Sequence, residues 1–384
     1  MRIRTLMAGA LVGLLATTTA CSGSGSGGGD TLKIGFFAPE SGFGSADGRS
    51  ALAGARLAVE QVNADGGIDG KKVELVTYDD ASDPKQGAVI ATKLVSQDRV
   101  AAAVSGSYSP QTLAGATIFQ RNRIPLVSAY AVNPGIPETG DFIFQQDFDG
   151  EVQGRAGAVQ LAEDGVTKPA VIAVDNDFGN ALVQGFSDQA EKSGLDVVSV
   201  DKNEFGEKDF GTIIRRAVDA GADGIYLVQY VAEGTQFFRA LRKSGVDLPV
   251  LSTEGIDSAG FLESIGDLAD GAKITTNLNR DAEAPATKAF LEDFAEANDF
   301  PADMVAASSY DAVKLILDAA ESSGTSAGDI HQGLLDTSDH EGATGTLERF
   351  TDGRQVIKPV QVLQFQGATL VSIGEITDSS VITP

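Results

Sequence analysis

Two histidines, one cysteine and 54 acidic side chains are the groups with which this chain of 384 residues could do chemistry. Nucleophilic hydrolysis needs a histidine beside an activated hydroxyl or thiol. His331 lies in GDIHQGLLD, read as a surface helix, and His340 in TSDHEGATG, read as a polar loop; neither sits beside a strand-to-helix nucleophile turn. Carboxylate pairs such as Asp79-Asp80 could do acid–base work, but among so many acids a pair at a strand end is more simply a loop or helix cap. Two histidines and a lone cysteine cannot build the usual zinc-ligand spacings, so neither metal nor cofactor is expected. GSGSGG at 23–28 matches G-x-G-x-x-G formally, yet it joins no helix and lacks the context in which that pattern cradles a dinucleotide. SGFGSADG at 41–48 stands between a first strand and a first helix, but its loop is long and has no tight glycine register. Catalysis and nucleotide binding are both disfavoured.

Cys21 has a different context. Arg2 and Arg4 form a positive start, and Leu6 to Ala16 an apolar segment of 11 residues. That is too short for a membrane span, which needs about 20 residues, and has the dimensions of a signal-peptide core ending in small residues at Ala20. SGSGSGGG after Cys21 reads as a flexible tether. The stretch resembles a bacterial lipoprotein signal, whose cysteine becomes the lipid-bearing first residue; Thr18 stands where such signals usually carry Leu. The alternatives are an ordinary secretory signal with a bystander cysteine, or a buried thiol for which no surrounding core exists. With Cys21 lipidated, no disulfide is expected.

The elements that must position any site follow from periodicity. LKIGFFAP (32–39) reads as a strand, RSALAGARLAVEQVNADGG (49–67) as a helix with apolar residues three and four apart, and KKVELVTYDD as the next strand. PKQGAVIATKLVSQD, VAAAVSG and PLVSAY continue the alternation, which is the pattern of a parallel sheet between helices. A second series runs from about 150 to PVLSTEG, so two α/β lobes of about 120 residues are expected. The last third adds helices, then β-rich sequence with hairpin turns expected at DG 352–353 and QG 366–367. Hydrophobic residues make up 42% of the chain, enough for substantial cores. The formal charge of −25, scattered along the chain, disfavours nucleic acid and anionic lipid surfaces as partners.

YDDASDPKQGAVIATKLV (78–95), LAGARLAVEQVNADGGIDGKKVELV (52–76), RIPLVSAYAVNP (123–134), GEKDFGTII (206–214), TEG (253–255) and YDAVKLILDA (310–319) together resemble the leucine/isoleucine/valine-binding protein family, substrate-binding components of ABC importers. The likeness covers nearly all of the chain after the signal. It implies the type I periplasmic binding fold: α/β, two doubly wound parallel-sheet lobes joined by three hinge crossovers and closing like a trap. The implied layout is 1–20 signal peptide, 21–30 lipid-anchored linker, 31–149 with 277–354 as lobe 1, and 150–276 with 355–384 as lobe 2.

Site residues implied by the resemblance transfer one at a time. Ser109 in GSYSPQT matches a serine that binds the ligand carboxylate. Tyr130, Ala131 and Val132 in SAYAVNP match a segment that holds the amino acid through its backbone and a threonine, and Val132 takes the threonine's place. Phe178 in NDFG and Tyr230 in VQY match aromatics of the closing lobe, Phe178 without the usual hydroxyl. Glu254 in STEG matches the acid that neutralises the ligand ammonium. Asp47, in the first loop, takes a position where some relatives carry an aromatic, which makes the pocket more polar than leucine would want. Each residue also has a plainer reading: Ser109 as an N-cap with Pro110 behind it, Tyr130 and Tyr230 as interlobe packing, Phe178 as core, Glu254 as a solvated acid. The function implied is capture of a small amino acid, branched-chain or related, for delivery to a membrane permease. A short amide, urea-like or aromatic carboxylate ligand is the alternative. The protein is then expected outside the cytoplasm, monomeric, and held to the membrane through its N-terminal lipid alone. A sensory receptor would share the fold, and an enzyme would have to turn its ligand over.

Overall fold

The computed structural model describes residues 31–384. The lipid-anchor and signal readings at Cys21 and before it lie outside the described residues.

Two sheets organise the chain. The first holds β1 (Leu32–Ala38), β2 (Val73–Asp79), β3 (Ala102–Ser105), β4 (Leu126–Ser128) and β5 (Ile143–Gln145), in the order β2-β1-β3-β4-β5 and parallel throughout. The second holds β6 (Pro169–Val174), β7 (Ser199–Asn203), β8 (Gly224–Val228), β9 (Val250–Ser252) and β10 (Lys273–Thr276), with a returning pair β13 (Val360–Gln366) and β14 (Thr369–Ile376). Its order is β14-β13-β10-β9-β8-β6-β7. Every residue of β6 and β8 is buried, which is why these strands read as unbroken apolar runs: helices cover both faces of the sheet. Edge strand β7 alternates exposed and half-buried positions instead. The protein is thus two α/β lobes, joined where the chain passes from one sheet to the other after β5, after β10 and before β13.

The second sheet is not parallel to its end. β13 runs antiparallel to both β10 and β14, because the short turn at Gly367, in a left-handed conformation with φ +61°, folds the two last strands back on each other. The Asp352-Gly353 turn is bracketed by a single antiparallel bridge, Phe350 to Val356. A separate hairpin of β11 (Ser338–Gly342) and β12 (Gly345–Arg349) went unforeseen. His340 is therefore in a strand, not a polar loop, and its Nδ1 lies 3.1 Å from Asp318. His331 is on the helix Ala327–Leu335, its ring stacked on Phe142 at 3.9 Å. Ser326, centre of the G-x-S-x-G match GTSAG at 324–328, joins two helices and caps the second in a reciprocal box with Asp329. It has no strand before it and is no nucleophile elbow.

Local chemistry explains several helix starts. Asp83 accepts from the Lys85 N–H at 2.9 Å with Pro84 behind it, Asn176 accepts from Gly179, and Asp149 accepts from Val152 at 2.7 Å. Asp79 and Asp80 do cap their loop, accepting from the N–H groups of Ser41, Ala81 and Ser82. Between lobes the three crossovers meet in a buried polar knot. Asn277 donates to Asp147 and, at 2.9 Å, to Ser308, while the Lys358 ammonium donates to Thr344 at 2.8 Å.

Candidate functional site

In both sheets strand order reverses at one point, between β1 and β3 in the first and between β6 and β8 in the second. A crevice opens at the carboxyl ends of strands at such a reversal, and ligands bind there. The two crevices face each other. Asp47 follows β1, Tyr108 and Ser109 follow β3, and Tyr130 and Ala131 follow β4; from the other lobe, Phe178 follows β6, Tyr230 follows β8 and Glu254 follows β9. These side chains, with Gly255, Ser258, Met304 and Val305, line one cavity between the lobes.

The lobes are in contact around it. Tyr108 and Tyr230 approach to 4.8 Å between ring centroids, and Phe43 meets Phe205 at 4.0 Å at the mouth. Asn133 donates to the Asp177 carbonyl at 2.9 Å, and Asp303 accepts from the Ala259 N–H at 2.9 Å. The cavity and its mouth together hold about 380 Å³ of unfilled space. A cleft of that size, closed over by contacts between the lobes, suits a small solute.

Glu254 stands in the short turn Glu254–Ile256 after β9, held by Thr253, whose hydroxyl accepts from the Gly255 N–H at 3.3 Å. It is 4% exposed, and neither carboxylate oxygen has a hydrogen-bond partner. Burial, and then the nearby Asp147 charge, push its pKa well above the ordinary value. The solvated reading of Glu254 therefore does not describe its surroundings. Asp47 is likewise buried, with its carboxyl raised to about 7 by burial, partly opposed by a hydrogen bond from Tyr108.

Ser109 differs from its simpler reading. Tyr108 is the N-cap of the helix Ser109–Asn122 and Ser109 its first residue, with no side-chain cap bond. The Ser109 hydroxyl instead accepts from the Asn133 N–H at 3.3 Å, which leaves its proton to donate. A donor at a helix N-terminus favours a carboxylate. Ala131 lines the cavity with its carbonyl already taken by Ser128 and Gln145. Val132 does not reach it. The residue after Ala131 turns the other way, into the core of the first lobe, where its carbonyl accepts from Gly150 at 2.6 Å.

Tyr130 donates to the Gly106 carbonyl at 2.6 Å, Tyr230 accepts from Asn176 at 3.2 Å, and Phe178 stacks on Tyr230 at 4.9 Å. These rings line the same cavity as the two acids. Asp47 is on a helix, not in the first loop: the helix Ser45–Ala64 starts four residues early, with Gly48 packed so closely on Pro39 that a Cβ would lie 2.2 Å from its carbonyl oxygen. Sequence reasoning missed Tyr108, Ser258, Met304 and Val305. Tyr108 adjoins Ser109 and Ser258 follows Glu254 by four residues, but Met304 and Val305 come from far along the chain and carry no local signal.

An interlobe cavity at two facing switch points is the arrangement that encloses a small solute between two lobes. Residues 31–369 match the periplasmic binding protein family, and the chain belongs to it. Among relatives, it is 30% identical over 267 residues to the leucine-specific-binding protein of Salmonella typhimurium, covering 68% of this chain and 71% of that one. It is 28% identical over 321 residues to the leucine-, isoleucine-, valine-, threonine- and alanine-binding protein of Pseudomonas aeruginosa, covering 83% of this chain and 85% of that one. In structure it is similar to a branched-chain amino acid transporter substrate binding protein of Streptococcus pneumoniae in complex with isoleucine. The TM-score is 0.84 at 26% identity, over 90% of this chain and all of the other. Among the described residues no helix is long and apolar enough to cross a membrane.

Proposed function

We propose that this protein is the extracytoplasmic solute-binding component of an ABC importer, capturing a small α-amino acid between its lobes and handing it to the membrane permease. The observation that carries the ligand class is Glu254, an acid buried in the cleft with both oxygens unpartnered. An α-ammonium entering the cleft supplies the missing charge, and Ser109 at its helix N-terminus receives the carboxylate. Tyr130, Ala131, Phe178 and Tyr230 then enclose the ligand, and Val132 supports the segment from behind. Closure excludes water, which strengthens both charge pairs.

The relatives' named ligands, leucine and related amino acids, support the same reading. The aromatic walls favour one alternative, a short amide, urea-like or aromatic carboxylate ligand without an α-amine. A thermal-shift screen of amino acids, amides and aromatic acids separates the two. A ligand at 100 times its Kd adds about 2.7 kcal/mol of stability. The amino-acid reading predicts the largest shift from an α-amino acid, and shifts from amine-free acids alone overturn it.

At the N-terminus, lipid on Cys21 is the proposed attachment to the membrane, with SGSGSGGG as the tether, and the binding protein works as a monomer.

A further inference from the structure

The amino-acid reading uses Glu254 and Ser109 but leaves a second acid in the same cavity. Asp47, in the first turn of the helix Ser45–Ala64, is 5% exposed. Its Oδ2 accepts from the Tyr108 hydroxyl at 2.6 Å, while Oδ1 is buried without a hydrogen bond of ordinary geometry, the Ser258 hydroxyl being the one neighbouring donor that eases its charge. No role in the fold accounts for it. The helix is capped by Gly44 without a side-chain bond, and Asp47 forms no salt bridge among the described residues. Asp303 and Asp257, the nearest charges from other elements, are acids too. The nearby cation Arg280 is engaged with Asp257 at 2.5 Å.

A hydrocarbon side chain closing against this corner would seal Oδ1 from water with nothing to receive. An unpaired buried acceptor lowers affinity by about ten- to a hundredfold. We propose that Asp47, braced by Tyr108, forms a specificity subsite for an amino acid whose short side chain ends in a hydrogen-bond donor: a hydroxyl, an amide or an amine. The inference rests on the amino-acid reading of the cleft, in which Glu254 and Ser109 hold the α-ammonium and carboxylate and so leave the side chain facing Asp47. Burial holds the Asp47 carboxyl near neutrality, at about 7. It can therefore accept from a donor as the carboxylate, or share its own proton with a hydroxyl or amide oxygen.

The test is calorimetric titration of the wild-type protein with near-isosteric pairs, threonine against valine and asparagine against leucine. The polar member of each pair should bind at least about tenfold more tightly. Asp47→Leu should reverse the order, and Asp47→Asn, which keeps an acceptor, should preserve it. Valine and leucine binding as well as their polar partners, or better, would overturn the subsite while leaving the amino-acid reading intact. Binding of amine-free ligands with no response to any α-amino acid would overturn both. The wild-type comparison needs no variant to fold, so it decides by itself.

Discussion

Replacing Glu254 by Gln removes one charge from the cleft and almost nothing else. In the closed form the carboxylate is 4% exposed and its two oxygens meet no donor, so an α-ammonium beside it would be its only compensation. Losing one partner of a buried, hydrogen-bonded charge pair costs about 2–5 kcal/mol, or roughly 30- to 5,000-fold in Kd. The glutamine oxygen still accepts a hydrogen bond, which places the expectation toward the lower half of that range. The same substitution should leave the unliganded protein no less stable, because an acid whose pKa is raised by burial is itself a destabilising guest of the closed form at neutral pH. Calorimetric titration of both proteins with the best α-amino acid reads the first effect, and thermal unfolding without ligand reads the second. An amino acid that binds the variant with unchanged affinity would refute the assignment of Glu254 to the ammonium. A variant that has lost both affinity and stability would point to a structural role instead.

Closure of the unliganded protein should depend on pH. Burial, reinforced by Asp303 and Asp257 and opposed by the Tyr108 hydrogen bond and the neighbouring Ser258 hydroxyl, raises the Asp47 carboxyl to about 7 when the lobes are shut. The closed form therefore keeps a proton that the open form releases. Its advantage is complete below the ordinary carboxylate pKa of about 4 and is lost as pH rises through about 7. Small-angle scattering should give a larger radius of gyration at pH 8 than at pH 5, and equal radii would count against this linkage. Gly54→Ala should destabilise the first lobe by about 1–3 kcal/mol, since a Cβ there would lie 2.0 Å from the Ala306 carbonyl oxygen on the facing helix; a chemical-denaturation midpoint unchanged from wild type would contradict that packing. Cys21→Ser should shift the protein from the membrane fraction to the soluble extracytoplasmic fraction, and an unaltered distribution would exclude Cys21 as the anchor.

The alternation of elements was legible along the chain because its causes are local. Buried strands such as PAVIAV and GIYLV announce themselves by composition, and Asp83-Pro84 marks a helix start by the chemistry of its own next few residues. Resemblance carried Ser109, Glu254 and their companions to numbered positions, and the fold brings all of them except Val132 to one cavity. Other features depended on what lies across space. The helix at Ser45 begins early where Gly48 fits against Pro39, and Ser109 stands inside the helix that Tyr108 begins, its hydroxyl accepting from Asn133 of the next loop. Val132 turns inward although its neighbour faces the cleft, and the segment holding His340 pairs as a strand because β12 folds back on it. Met304 and Val305 reach a site built from loops about 50 to 250 residues earlier in the chain. Periodicity reports how a segment sits against its own neighbours, so it can place a residue on a helix or strand. Which loops meet, which acids go dry and which oxygens lose their partners are set only when the two lobes close on each other.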